Sequence, residues 1–183
     1  MLLGLEIFAV ITGLCFIVLL IRQNIWCWFF GILSSLSSIV LFYYTKLYSE
    51  SILYFYYVFI GFYGIHTWRK IDRANEKVRS VGTIYHMIVV VTGVIFSFAL
   101  GKYFSTATDA ARPYADAVST IFSFLASYME AHKILSAWLL WIMINGFSIW
   151  LYADRGLEFY SGLMVIYFLL SIFGYFSWKK SMQ

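Results

Sequence analysis

Two indoles, an amide and a hydroxyl fall at Trp138, Trp141, Asn145 and Ser148, the spacing i, i+3, i+7, i+10 that lines one face of an α-helix. Such a face meets hydrocarbon poorly. It suits a flat, polar solute that rings can stack on and an amide can hydrogen-bond. The competing packing interpretation makes Trp138 an interfacial belt residue and Asn145 a bond between helices. A second face carries Ser119, Ser123, Ser127 and Glu130 at i, i+4, i+8, i+11. A carboxylate within a membrane is costly and by default marks function, although Glu130 stands only three residues before Lys133, close enough to reach an interface. Tyr54, Tyr56, Tyr57 and Tyr167 add rings able to stack or to surround a cation. Most of the 18 Phe, 15 Tyr and 7 Trp must nevertheless serve packing or interface anchoring.

Other chemistries have little to work with. His66, His86 and His132 include no i, i+4 pair, so metal or haem ligation has no local template; a haem-binding membrane redox protein is the competing function from another class. Cys15 and Cys27 show no metal-ligand spacing and read as reduced, small apolar residues. The sequence holds no nucleophile–base arrangement, no glycine-rich phosphate loop and no ATP-binding motif. We therefore expect no enzyme activity, no catalytic residue, no cofactor, no metal and no coupling to nucleotide hydrolysis.

The elements that position these faces follow from composition. Of 183 residues, 62% are hydrophobic and 12% charged, far from the soluble average of roughly half apolar and a quarter charged. A soluble core of this size could not hide so many aromatic rings. Apolar runs of about 20 residues match helices crossing about 30 Å of hydrocarbon, whereas a barrel needs alternating segments of roughly ten. Pro113 is the single proline, so little interrupts them. The net charge of +4 is modest and forms no basic face for nucleic acid. The first apolar segment carries Glu6 and lacks a basic leader, and we read it as a retained helix.

Seven spans result, at about Leu2–Ile21, Ile25–Tyr44, Tyr48–Trp68, Val81–Tyr103, Tyr114–His132, Ala137–Ala153 and Leu157–Trp178. With the N-terminus outside, nine of the thirteen Lys and Arg residues lie on the cytoplasmic side and Lys46, Lys102, Arg112 and Arg155 on the other, which favours N-out, C-in. The chain also repeats itself without a gap at an offset of 110 residues. Trp28, Gly64, Trp68, Arg69 and Lys70 fall on Trp138, Gly174, Trp178, Lys179 and Lys180, and Ile32, Ser38, Ile39, Leu47, Ser51, Leu53 and Tyr57 find identical partners. Repeats of this kind in transporters locate the substrate. The offset maps helices 1–3 onto 5–7 and leaves helix 4 as a linker, so both repeats must point the same way. The copies differ where chemistry is expected: Gly31 opposes Trp141, and Ser35 opposes Asn145.

These residues resemble the PnuC-type vitamin transporters. The match is strongest from Pro113 to Trp178, where Asp116 opens helix 5 and Trp138, Trp141 and Asn145 form a WxxWxxxN motif. NIWCWFFGI, Lys46–Tyr48 and Tyr63–Trp68 fit in the first half. The resemblance implies a SWEET-like, all-α membrane fold of two parallel three-helix repeats joined by a linker helix (3+1+3): residues 1–70, a charged loop, linker helix and outer loop over 71–112, and residues 113–183. It implies facilitated uptake of a water-soluble vitamin across the bacterial inner membrane by alternating access, metabolic trapping by a cytoplasmic kinase, and a homotrimer. Nicotinamide riboside members tend to carry Gln at the position of Ser127 and a polar amide at that of Ser34. Loss of those amides, with rings suited to a thiazolium cation, makes thiamin the first expectation and nicotinamide riboside the alternative. The expected substrate-binding set is Trp138, Trp141, Asn145, Ser127, Ser34, Trp28, Tyr57 and Glu130.

Overall fold

Long apolar stretches with one proline leave the backbone little choice but helix, since in hydrocarbon every N–H and C=O must be satisfied within the segment. The computed structural model describes residues 2–44, 48–74, 77–107, 112–154, 156 and 158–182. These form seven α-helices: α1 (Leu2–Ile21), α2 (Trp26–Tyr44), α3 (Tyr48–Arg73), α4 (Thr83–Ala107), α5 (Pro113–Ala131), α6 (Ala137–Asp154) and α7 (Glu158–Ser181). Lys46, Leu47, Arg155 and Leu157, used above in the motifs, the charge count and the repeat, lie outside the described residues, as does the side chain of Ser51.

The termini obey local rules. Pro113 opens α5, where its missing N–H is no loss. Asp116 lies in the first turn of α5, and Lys70, Arg73, Lys179 and Lys180 lie in the last turns of α3 and α7, signs that complement the helix dipole. Gly4–Ile21, Thr83–Ala107 and Ser161–Ser181 are long and apolar enough to cross a membrane, and Trp26–Leu41 is a shorter apolar helix. The protein is a multi-pass membrane protein.

The chain packs as two compact units. The first comprises residues 1–78 with Ala131–Lys133 and residues 177–183; the second comprises Arg79–Glu130 and Ile134–Phe176. In the first, α2 packs on both α1 and α3. Trp28 fills the gap left by Gly64, where any Cβ would collide with its ring. Its indole is edge-on to Phe16 at 6.0 Å and to Trp68 at 5.7 Å. Trp178 closes the cluster, 6.1 Å from Trp68, with its Nε1–H donating to the Leu20 carbonyl at 3.0 Å.

In the second unit, Val89, Gly93, Ser97 and Gly101 form the buried stripe of α4. Phe122 seats against Gly93 and Tyr114 against Gly101, while Ser97 reaches the Ala117 carbonyl at 3.5 Å. The helix expected as an unmatched linker is therefore packed intimately on α5 through small residues. Ala126, Met129, Ile134, Ala137, Leu140 and Ile144 complete that core with Val89.

The duplication reappears as geometry. Gly174 lies against Trp138 as Gly64 lies against Trp28. The α1–α2 turn carries Gln23 at φ 54°, and the α5–α6 turn carries Lys133 at φ 49°, both in the left-handed conformation common just past a helix end. Asn24 N–H donates to Leu19 O at 2.9 Å, and Ile134 N–H to Met129 O at 3.0 Å. Trp28 N–H to Ile25 O and Trp138 N–H to Leu135 O are both 3.2 Å. Every one of these positions is related by 110 residues.

Candidate functional site

The second unit gathers a polar group that the membrane would not tolerate unpaired. Asn145, on α6, donates from Nδ2 to Ser171 Oγ on α7 at 3.0 Å, and Ser171 donates to the Tyr167 carbonyl at 2.7 Å. Glu130, near the end of α5, is 2% exposed. The Trp141 indole N–H faces its carboxyl without meeting full hydrogen-bond geometry. Ser127 is buried and gives its proton to the Ser123 carbonyl at 2.8 Å, so its oxygen remains only an acceptor. Ser148 is buried on the same helix as Asn145. These helices carry an amide, a carboxyl group, hydroxyl oxygens and a half-buried indole, the kinds of group that hold a polar aromatic solute.

Trp138 is fully buried against Gly174. That contact gives it a packing role, distinct from the half-buried Trp141. Trp28 is held likewise in the first unit. There, Ser34 Oγ donates to the Ala9 carbonyl at 2.8 Å, tying α2 to α1. Tyr57 stands edge-on to Tyr54 at 5.6 Å and to Tyr56 at 5.9 Å. Of the eight residues expected from the sequence, Glu130, Trp141, Ser127, Asn145 and Trp138 belong to the second unit, all buried except the half-buried Trp141. Ser34, Trp28 and Tyr57 belong to the first unit.

Comparison of the copies sharpens this asymmetry. Where α5 has Ser119, Ser123, Ser127 and Glu130, α1 has Ala9, Gly13, Ile17 and Leu20. Gly61 of α3 stands at the position of Ser171, and Ser35 of α2 at that of Asn145. In the first copy Phe16 covers Gly31, with ring atoms 2.9 Å from where a Cβ would lie. In the second the bulk is exchanged: small, buried Ala126 belongs to the core on which Trp141 packs. Ser171 escaped the sequence reading because a serine on an apolar helix is common. Its signal was the glycine opposite it in the repeat.

A second cluster lies in the first unit. Lys133 is only 4% exposed; its Nζ meets Asp72 Oδ1 at 2.6 Å and lies 4.7 Å from the Trp68 ring centre. Its repeat mate Gln23 makes the neutral counterpart, Nε2 to Ser181 Oγ at 2.8 Å. His132 Nε2 lies 2.9 Å from the Tyr63 hydroxyl, and His86 Nδ1 3.0 Å from the Gly82 carbonyl. Each of these histidines thus has a local partner; among the described residues no group of three or more His, Cys, Asp or Glu is placed to hold a metal ion.

Residues 3–180 match the family model described as nicotinamide mononucleotide transporter. The chain belongs to this family of transporters. It is similar to the nicotinamide riboside transporter PnuC of Neisseria mucosa, with 26% identity over 94% of this chain and 70% of the relative. It is also similar to the nicotinamide riboside transporter PnuC of Escherichia coli, with 24% identity over 96% of this chain and 85% of the relative. Among solved structures, the crystal structure of the vitamin B3 transporter PnuC superposes with a TM-score of 0.78 and 26% identity, covering 97% of this chain and 81% of that one. The family resemblance holds, and vitamin transport across a membrane is the function it carries. Thiamin, the first expectation, finds no support in these names; nicotinamide riboside fits them better. The preference for thiamin rested on reading the absent amides at Ser127 and Ser34 as a change of substrate, and the relatives' names give that step no support.

Proposed function

We propose that this protein carries nicotinamide riboside into the cell across the bacterial inner membrane. The observation that carries the proposal is the set of buried Glu130 and Asn145 with half-buried Trp141 in the second unit, in a chain whose named relatives transport that riboside. The solute has a pyridinium cation for the carboxylate and the ring, and a carboxamide and ribose for the amide. A mononucleotide adds a phosphate dianion, and the set of Glu130, Trp141 and Asn145 contains no cationic side chain to receive it. In this reading Trp141, Asn145, Glu130 and Ser127 contact the solute, and Trp138 holds the helices that carry them. The helices form a 3+1+3 arrangement with residues 1–70 and 113–183 as repeats, residues 71–112 between them, N-terminus outside and C-terminus inside. Transport runs downhill by alternating access, a cytoplasmic kinase traps the vitamin, and the protein works as a homotrimer.

The test is calorimetry on purified protein with nicotinamide riboside, its mononucleotide and thiamin in parallel. The riboside alone should bind tightly; binding of thiamin alone would overturn the assignment. Vesicles reconstituted without kinase or ion gradient should equilibrate the riboside and not concentrate it.

A further inference from the structure

Ser171 fixes which end of the Asn145 amide is offered to substrate. A serine hydroxyl has one proton, and that of Ser171 goes to the Tyr167 carbonyl one turn earlier, at 2.7 Å. Toward α6 the oxygen can therefore only accept. The Asn145 atom 3.0 Å away must be the NH2 group and not the carbonyl, whatever ambiguity an amide normally carries. Ser171 is 1% exposed, so no solvent competes for either bond. Asn145 Oδ1 is then the end of the amide that Ser171 does not engage, and among the described residues nothing donates to it. The repeat supplies an internal control: the first copy has Ser35 and Gly61 at these positions and still packs α2 on α3. The Asn–Ser bond is therefore dispensable for the helix packing the copies share.

We propose that Ser171 is a positioning residue that locks Asn145 as a hydrogen-bond acceptor, so that the transported solute must present an N–H or O–H donor to Asn145 Oδ1. This rests on the riboside reading above, in which a carboxamide or a ribose hydroxyl supplies the donor. Without Ser171 the amide is free to turn over and to leave this rotamer, so binding must order the side chain as well as select its acceptor end.

The experiment is a double-mutant cycle read by calorimetry with nicotinamide riboside on the purified full chain: wild type, S171A, N145A and S171A/N145A. S171A should weaken binding roughly tenfold, the usual worth of one buried hydrogen bond or slightly more. The double variant should bind no more weakly than N145A alone, because Ser171 acts only through Asn145. S171T keeps the hydroxyl and the i−4 bond and should bind within about threefold of wild type, well short of the S171A loss; if it does not fold, the cycle decides alone. Unchanged affinity in S171A, or losses that add in the double variant, would overturn the proposal. Wild type that binds no riboside sinks the substrate assignment instead. In that event the cycle is repeated with thiamin, whose aminopyrimidine is also a donor, and the coupling between the two positions is decided there. If wild type binds neither vitamin, both readings fall.

Discussion

At the scale of single residues, two contacts have no tolerance. Gly174 admits the Trp138 ring where any side chain would collide, and Gly174→Ala should destabilise the protein by about 1–3 kcal/mol, the cost of overpacking. Thermal unfolding in detergent measures it, and Gly64→Ala should behave alike because it holds Trp28 in the same way. The Lys133–Asp72 pair is unequal: the lysine side chain is 5% exposed and the aspartate 47%. Asp72→Ala strands a buried cation and should cost about 3–5 kcal/mol, as broken buried pairs do. Lys133→Met leaves a carboxylate that water can reach, and loses mainly the contact with the Trp68 ring, worth up to about 2 kcal/mol. Equal losses in the two variants would mean that Lys133 is solvated in the folded protein. Trp138, Gly174 and Trp178 were visible in the sequence as repeat anchors. Asp72 was not, because a carboxylate beyond the hydrophobic stretch carries no sign of its partner 61 residues away.

At the scale of elements, α1 and α5 are one helix written twice, once apolar and once polar. Exchange of Glu130 for the first-copy residue, Glu130→Leu, should leave the melting temperature unchanged or raised, since replacing a buried ionisable group by a packed apolar one is often neutral or stabilising. Riboside affinity should fall at least tenfold, the scale of one lost charge-assisted contact. A melting point that drops while affinity survives would assign Glu130 to structure. Helix existence and order were legible from the apolar runs, and α1 matches its expected span to the residue. The ends drifted where hydropathy and hydrogen bonding part company. Hydropathy stopped α3 at Trp68, but the backbone ladder continues to Arg73, since the Arg69, Lys70 and Arg73 that carry it on are good helix formers. α7 runs on to Ser181 for the same reason. The α5 face was readable from its serine spacing. The α6–α7 bond was not, because periodicity shows which residues share a face but not what lies opposite.

At the scale of the whole molecule, orientation is the property most open to direct measurement. A cysteine placed at the exposed Thr106 should react in intact cells with a membrane-impermeant maleimide, and one at the exposed Lys77 should react only after permeabilisation. The reverse pattern would invert the proposed topology. Lastly, the glycine-seated indoles divide the seven tryptophans by their optical behaviour. Trp28, Trp68, Trp138 and Trp178 are fully enclosed, and Trp26 and Trp150 point outward from their helices. That leaves Trp141, half-buried and facing Glu130, as the emitter placed to sense a bound electron-poor ring. Titration with nicotinamide riboside should quench only part of the intrinsic emission, and Trp141→Phe should abolish that fraction even at saturating vitamin. Under the proposed function, Trp141 is an optical probe of occupancy and the other six tryptophans are its constant reference.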